Sequence, residues 1–309
     1  MGNHLSTLKE KYLIVVVGPT AVGKTDLCIQ LAKHYKTVII SADSRQFYHE
    51  MTIGTAKPTL AEMQGIPHYF INSHHITQEY NAGAYEQEVL RLLDELFTQH
   101  SCVILTGGSG LYVRAVLEGM DEMPEVPTSI RESLIQQKQE QGLAHLLQKL
   151  QELDPAYYNQ VDKANTQRII RALEVSLATG QPYSSFRTKE PVDRPFQIIK
   201  IGLNRDRAEL YARIDARVDG MLEAGLLEEV QQLLPYRNHN ALQTVGYQEL
   251  FSYLAGEYDW DEAVRLLKRN SRRYAKRQLT WFTKNSDFTW FHPQQREAIL
   301  AFIDRELAS

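Results

Sequence analysis

The chain has little cysteine. Cys28 and Cys102 are the two among 309 residues, too few for a disulfide scaffold. Each sits in an apolar stretch, so both are read as buried, reduced thiols. Long apolar runs are missing as well. The first, Leu13 to Val17, is one strand's worth and ends at a glycine, and the stretch ahead of it, Met1 to Tyr12, is short and polar. That excludes a signal peptide and a membrane span, leaving the cytoplasm as the expected location. There is no excess of positive charge: 34 Lys and Arg stand against 38 Asp and Glu, a net −4, so nucleic-acid binding would need a local patch. His68, His74 and His75 have no Cys or carboxylate beside them at ligand spacing, so no metal cluster is expected there. No internal repeat or low-complexity segment is visible. The remainder is ordinary, 43% hydrophobic and 23% charged, enough for one large α/β domain or a core domain with a smaller one.

Tyr12 to Val17 is wholly apolar and β-branched, as befits a strand buried on both faces of a parallel sheet. A loop over Gly18–Gly23 and helical spacing over Lys24–His34 follow. Thr37 to Ser41 predicts a second strand, running into Ala42-Asp43-Ser44-Arg45-Gln46. Tyr85 to His100 has the spacing of an amphipathic helix. Cys102 to Leu105 predicts a third strand, closed by Thr106-Gly107-Gly108-Ser109-Gly110, with an apolar helix from Leu111. Alternating strands and helices imply right-handed crossovers and a parallel sheet covered on both faces. The pattern changes at Asp121. After a Pro-rich linker (123–127), Ser129 to Leu153 is Gln-rich and helical, and strand character returns at Phe196–Leu203, after Pro182, Pro191 and Pro195. The expected organisation is a core over 1–120, a helical insertion over 121–164, and the rest of the core over 165–309. From Arg207 onward the pattern is helical throughout.

Gly18-Pro19-Thr20-Ala21-Val22-Gly23-Lys24-Thr25 matches G-x-x-x-x-G-K-[ST] between a buried strand and a helix. The glycines let backbone N–H groups turn toward phosphate oxygens, and the helix N-terminus adds partial positive charge. Lys24 supplies an ammonium, and the Thr25 hydroxyl can ligate Mg²⁺. The chain therefore reads as an enzyme that grips a diphosphate-bearing substrate with magnesium. Nucleotide-hydrolysing P-loop proteins place a carboxylate after another strand. The third strand here ends without one, and Thr106 or Ser109 offers a hydroxyl for a second wall instead. The alternative at this loop is a tight turn that needs small residues. Asp43 lies at the carboxyl end of the second strand, where ligands bind in open parallel sheets. It suits a general base, the plain alternative being a turn or N-cap aspartate.

Val264 to Ser286 holds Arg265, Lys268, Arg269, Arg272, Arg273, Lys276, Arg277 and Lys284, and no acid. On a helix Arg265, Arg269, Arg272 and Lys276 share one face, while Leu267, Tyr274 and Trp281 mark another. Such a stripe reads phosphate backbones, and Trp281 or Phe282 could stack on bases. A solvated basic helix is the competing reading.

Taken together, GPTAVGKT (18–25), ADSRQFYHEMTIGTAKP (42–58), GGSGLYVRAVLEG (107–119), QRIIRALEV (167–175), LYARIDARVDGMLEAGLLEEV (210–230), VGYQEL (245–250) and RRYAKRQLTWF (272–282) resemble the tRNA dimethylallyltransferase, or tRNA isopentenyltransferase, family. The stretches span nearly the whole chain in order. The missing C-terminal zinc finger of many eukaryotic members makes the bacterial type the better match. The resemblance implies a P-loop NTPase-like fold with a helical insertion that grips the anticodon stem. It implies transfer of a dimethylallyl group from dimethylallyl diphosphate to N6 of adenosine 37 of tRNA, by a monomer. Gly18 to Thr25 would line the diphosphate pocket, with Mg²⁺ at Thr25. Asp43 would accept the amine proton, and Lys24, Ser109 and Arg213 or Arg217 would stabilise the departing charge. The target adenosine would be flipped out of the anticodon loop to reach them. Asp43, Ser44, Arg45, Gln46 and Ser109 fall where the family meets the target nucleotides. Arg131, Gln167, Arg168, Ile169, Ile170 and Arg171, with Arg272, Lys276 and Arg277, fall where it meets tRNA. Three positions depart from the family pattern: Ser109 for a usual threonine, Thr166 for an aspartate, and Ser271 for a common threonine.

Two other functions fit parts of the sequence. A small-molecule kinase binding ATP would use the loop and Asp43 but not the basic helix. A non-catalytic RNA-binding protein would use the helix and leave Lys24, Thr25 and Asp43 without a purpose.

Overall fold

The computed structural model describes residues 10–187, 190, 192–284 and 287–309. Residues 1–9 of the polar N-terminal stretch, Pro191 and Ser286 lie outside the described residues. In chain order the first half comprises β1 (Tyr12–Val17), α1 (Lys24–Tyr35), β2 (Ile39–Ser41), α2 (Leu60–Met63), β3 (His68–Tyr69), α3 (Ala82–Leu96), β4 (Cys102–Gly107) and α4 (Gly110–Glu118). Next come α5 (Thr128–Leu153), α6 (Pro155–Tyr158) and α7 (Thr166–Thr179). The chain then forms β5 (Gln197–Leu203), α8 (Arg207–Glu223), α9 (Leu226–Gln232), α10 (Tyr247–Leu254), α11 (Trp260–Lys284), β6 (Thr289–Phe291) and α12 (Arg296–Leu307).

The six strands form one parallel sheet in the order β3-β2-β4-β1-β5-β6. β1 is central because all six of its side chains are apolar or aromatic and buried on both faces. Ile14 and Val16 pack with Leu27 of α1, Ile214 of α8 and Ile299 of α12. Leu13, Val15 and Val17 face the other way, toward Val89 of α3, Val113 of α4 and Phe282 of α11. Each such side chain contributes roughly 1.5–3 kcal/mol of burial, so the strand that carries the glycine loop is the best anchored in the sheet. Cys28 and Cys102 are buried free thiols, and burial pushes them up to about 12 and about 11.

Several expected boundaries move. The second strand starts at Ile39, not Thr37, and the third continues to Gly107. α3 begins at Ala82 because the Asn81 side chain accepts from the N–H groups of Gly83 and Ala84, 3.0 Å each. The stretch from Arg207 is not helical throughout. β6 pairs with β5 at the sheet edge (Ile201 with Thr289, Leu203 with Phe291), and three residues are too few to show an alternation.

Residues Gly119–Val192 form a compact unit apart from Met1–Glu118 with Asp193–Ser309. The helical insertion therefore extends past 164 to Val192. The reason is α7, whose apolar face (Ile169, Ile170, Leu173) joins Leu134, Leu146 and Leu150 of α5 in one core cluster. α5 itself is broken at Gly142.

Candidate functional site

At the carboxyl ends of β1, β2 and β4 lies a cavity of about 600 Å³. Thr20, Ala21, Gly23, Lys24 and Thr25 line it, together with Asp43, Thr106 and Arg217. Gly23 adopts φ 109°, a left-handed value that a side chain would oppose, and so caps α1 while turning the loop back on itself. Lys24 Nζ donates to the carbonyls of Gly18 and Pro19, both at 2.9 Å. Burial lowers the Lys24 ammonium to about 8; the Asp43 charge works against this and the Arg217 charge adds to it. A cation held so far out of water gains most from an arriving phosphate.

The Asp43 loop is tied down from several sides. One Asp43 oxygen accepts from Arg45 N at 3.0 Å, the turn geometry foreseen as its plain alternative. This coexists with its place in the cavity wall. Ser109 does not line the cavity. Its hydroxyl accepts from Ser44 N (2.9 Å) and donates to Ser44 Oγ (3.1 Å), so it braces the Asp43 loop instead of forming a phosphate wall. Of the two hydroxyls considered, Thr106 is the one that lines the cavity, although it donates to Val16 O at 3.0 Å. Gln46 donates to Thr55 O and Ala56 O, tying this loop to the opposite rim. That rim hangs on Glu229 of α9, which accepts from Thr52 N, Ile53 N and Gly54 N at 2.7–3.0 Å and from Tyr247 Oη at 2.6 Å.

Both α8 arginines reach the site in different ways. Arg213 is exposed and donates from Nε to Ala21 O of the loop at 2.9 Å. Arg217 is half-buried; burial lowers its pKa and the Asp43 charge opposes the shift. Arg217 is thus the arginine whose field is felt by both Asp43 and Lys24. Sequence reasoning missed three site residues. Tyr274 of α11 lines the cavity, its hydroxyl pushed up to about 12 by burial and then by the Asp43 carboxylate. Gln278, 6% exposed, links the glycine loop to Gly108. Arg205 donates to Val22 O at 2.7 Å. The one-turn spacing of Tyr274 and Gln278 was visible, but only the sheet reveals what that face meets.

On α11 the cationic stripe is partly spent. Arg265 pairs with Glu262, Lys268 with Asp219, and Arg272 with both oxygens of Asp215 at 2.5 and 2.7 Å. Exposed Arg273, Lys276 and Arg277 have no acidic partner among the described residues. Lys276, Arg277, Thr280, Trp281 and Lys284 line a shallow groove of about 290 Å³. Phe282 is 2% exposed and packs in the core, so it cannot stack on a base.

In the helical unit Ile169 and Ile170 are buried at 0% and 3%, which excludes them as side-chain contacts for a nucleic acid. They build the core on which their neighbours stand. Gln167 and Arg168 are exposed. Arg131 bonds Gln167 Oε1 (2.8 Å) and, with Arg171, the buried carboxylate of Glu174 (2.9 and 2.7 Å). Glu174, not anticipated, fixes both guanidinium groups while leaving them part-exposed. His68, His74 and His75 bond or stack with Ile66 O, Tyr80 and Glu50 respectively.

Oxygen donors lining the cavity include the Thr25 hydroxyl and the carboxylates of Asp26, Asp43 and Glu62. No group of three His, Cys, Asp or Glu able to hold a metal occurs among the described residues. Hard oxygens without such a cluster are the donor type that suits Mg²⁺ when phosphate oxygens and water complete its six ligands.

The IPP transferase family model matches residues 46–285. The chain is 53% identical over 297 residues to the tRNA dimethylallyltransferase of Cytophaga hutchinsonii, covering 96% of this chain and 98% of that one. It is 50% identical over 291 residues to tRNA dimethylallyltransferase 1 of Bacteroides thetaiotaomicron, covering 94% of each. Its fold matches the tRNA isopentenylpyrophosphate transferase of Bacillus halodurans with a TM-score of 0.72 and 37% identity, over 97% of both chains. It also matches a eukaryotic dimethylallyltransferase solved acting on tRNA, with a TM-score of 0.77 and 25% identity, over 96% of this chain and 77% of that one. A family match over most of the chain, with relatives about half identical along nearly its full length, places the chain in the IPP transferase family.

Proposed function

We propose that the chain transfers a dimethylallyl group from dimethylallyl diphosphate to N6 of adenosine 37 in tRNA. The observation that carries this reading is the cavity itself. Lys24, Arg217 and Asp43 gather in it, and Ile214, Val218, Met221, Val245 and Leu267 supply an apolar lining. An apolar lining beside a phosphate grip suits a branched five-carbon chain carried on a diphosphate.

The exocyclic amine of adenine is a weak nucleophile. Its nitrogen lone pair forms the new bond to C1 of the prenyl group as the C1–O bond breaks, its electron pair leaving with the diphosphate. Asp43 takes the amine proton. Lys24, Arg217 and the loop N–H groups stabilise the charge that grows on the leaving oxygens. Mg²⁺ held by Thr25 and the diphosphate would neutralise part of that charge. Tyr274, beside Asp43, helps close the site from water. The tRNA is held by exposed cations of α11 and, on the helical unit, by Gln167, Arg168 and the Arg131–Arg171 pair. The reading carries with it a cytoplasmic location and action as a monomer.

The test is incubation of unmodified tRNA with labelled dimethylallyl diphosphate, set against ATP with candidate hydroxyl substrates. Label in an anticodon stem-loop at adenosine 37 supports the transferase. Phosphorylated product without prenylated RNA overturns it.

A further inference from the structure

Gln278 is a buried polar side chain in an apolar stripe. Its neighbours on that face of α11, Ala275 and Phe282, are core residues. A leucine would satisfy packing there, so the amide calls for another reason. Both of its ends leave the helix. Oε1 accepts from Thr20 N at 2.9 Å, and Nε2 donates to Gly108 O at 2.9 Å. A Cβ on Gly108 would lie 2.1 Å from Nε2, so glycine is required for the approach. One amide therefore spans the glycine loop after β1 and the loop after β4.

The peptide it holds has a second role. The Thr20 N–H and the Pro19 carbonyl belong to one planar trans unit and point in opposite directions. That carbonyl is where Lys24 Nζ rests, at 2.9 Å. Gln278 thus fixes the plane of the peptide from one side while Lys24 leans on it from the other. When a diphosphate arrives, Lys24 exchanges this carbonyl for phosphate oxygen, and the peptide must keep its orientation for the loop N–H groups to stay aimed.

We infer that Gln278 is a positioning residue for the diphosphate donor, acting through the 19–20 peptide and setting the shape of the phosphate loop from the basic helix. This rests on the transferase reading, which supplies the donor. Both ends of the amide are taken by protein groups, so its loss should be felt in donor binding.

The experiment compares Gln278→Leu, Gln278→Glu and Gly108→Ala with the wild-type enzyme, reading KM for dimethylallyl diphosphate, KM for tRNA, kcat and Tm. Gln278→Leu removes both bonds at similar volume. Gln278→Glu keeps the acceptor for Thr20 N but loses the donor and adds negative charge beside the diphosphate. Gly108→Ala pushes the amide away from the other side. The expected result is a donor KM raised about tenfold in Gln278→Leu and Gly108→Ala and more in Gln278→Glu, with tRNA KM within twofold. A lower Tm with both KM values unmoved, or equal losses for both substrates, reduces Gln278 to packing and overturns the inference. Should Gln278→Leu not fold, the other two variants decide by the same readings. Absence of prenyl transfer in the wild type would instead sink the functional reading.

Discussion

Lys24 carries a full charge into a half-buried loop, and its pKa of about 8 stands below the ordinary lysine value near 10.4. Between those two values the unfolded chain binds the proton that the folded one has released, so this group's share of stability rises with pH. At pH 7 the burial costs the fold on the order of 3 kcal/mol. The same shift sets activity in the other direction. kcat/KM for the diphosphate donor should fall as pH rises through about 8, while kcat at saturating donor stays level because bound phosphate keeps the proton in place. A profile of kcat/KM that is flat to pH 9.5 would show that Lys24 does not meet the donor as a cation. For Asp43, Asn is the informative substitution, because it keeps the oxygen that accepts from Arg45 N. Asp43→Asn should lower kcat by about 10²–10⁴ with tRNA affinity little changed. Turnover within tenfold of wild type would return the residue to a turn. At this scale the motif residues were readable in advance because their spacing is local. Glu174, Gln278 and Arg205 were not, because each acts on residues remote in sequence or hidden by the core.

Helix α11 shows how a charge run is divided by its neighbours. Its sequence is a continuous basic stripe, yet Asp215 and Asp219 of α8 and Glu262 on α11 itself claim Arg272, Lys268 and Arg265. Lys276→Ala with Arg277→Ala should weaken tRNA binding and reduce the slope of log K against log salt by about 1.4–1.8, as for two lost phosphate contacts. Arg272→Ala should leave that slope unmoved and cost under about 1 kcal/mol as a part-exposed ion pair. Equal salt slopes in the two variants would show that the pairing with Asp215 does not hold in solution. A second element-scale device is the Glu229 carboxylate, which gathers three N–H groups of the 52–54 turn and the Tyr247 hydroxyl. Glu229→Ala leaves those donors to water or to nothing, and should lower stability by about 2–4 kcal/mol in denaturant titration. A change under half a kcal/mol would mean the turn holds itself. Periodicity foretold α1, α3 and α11 well, since each runs for three turns or more. It failed for β3 and β6, whose two or three residues make sense only as additions to an edge already present.

For the whole molecule, strand alternation around the glycine loop was enough to predict the parallel sheet, but not its order. The insertion boundary was misplaced because α7 carries a family-like basic segment on one face and core isoleucines on the other. The sheet order has a mechanical meaning. β1 is bordered by β4 and β5, whose residues lie 90 or more positions later in the chain. A fragment ending at residue 192 lacks β5 and α11, leaving one edge of β1 unpaired and apolar. It should show no pyrophosphate binding by calorimetry, and measurable binding in that fragment would refute this. The bond from Gln278 to Thr20 spans 258 residues. During synthesis the glycine loop therefore emerges long before the side chain that braces it, and its final shape waits on the arrival of α11.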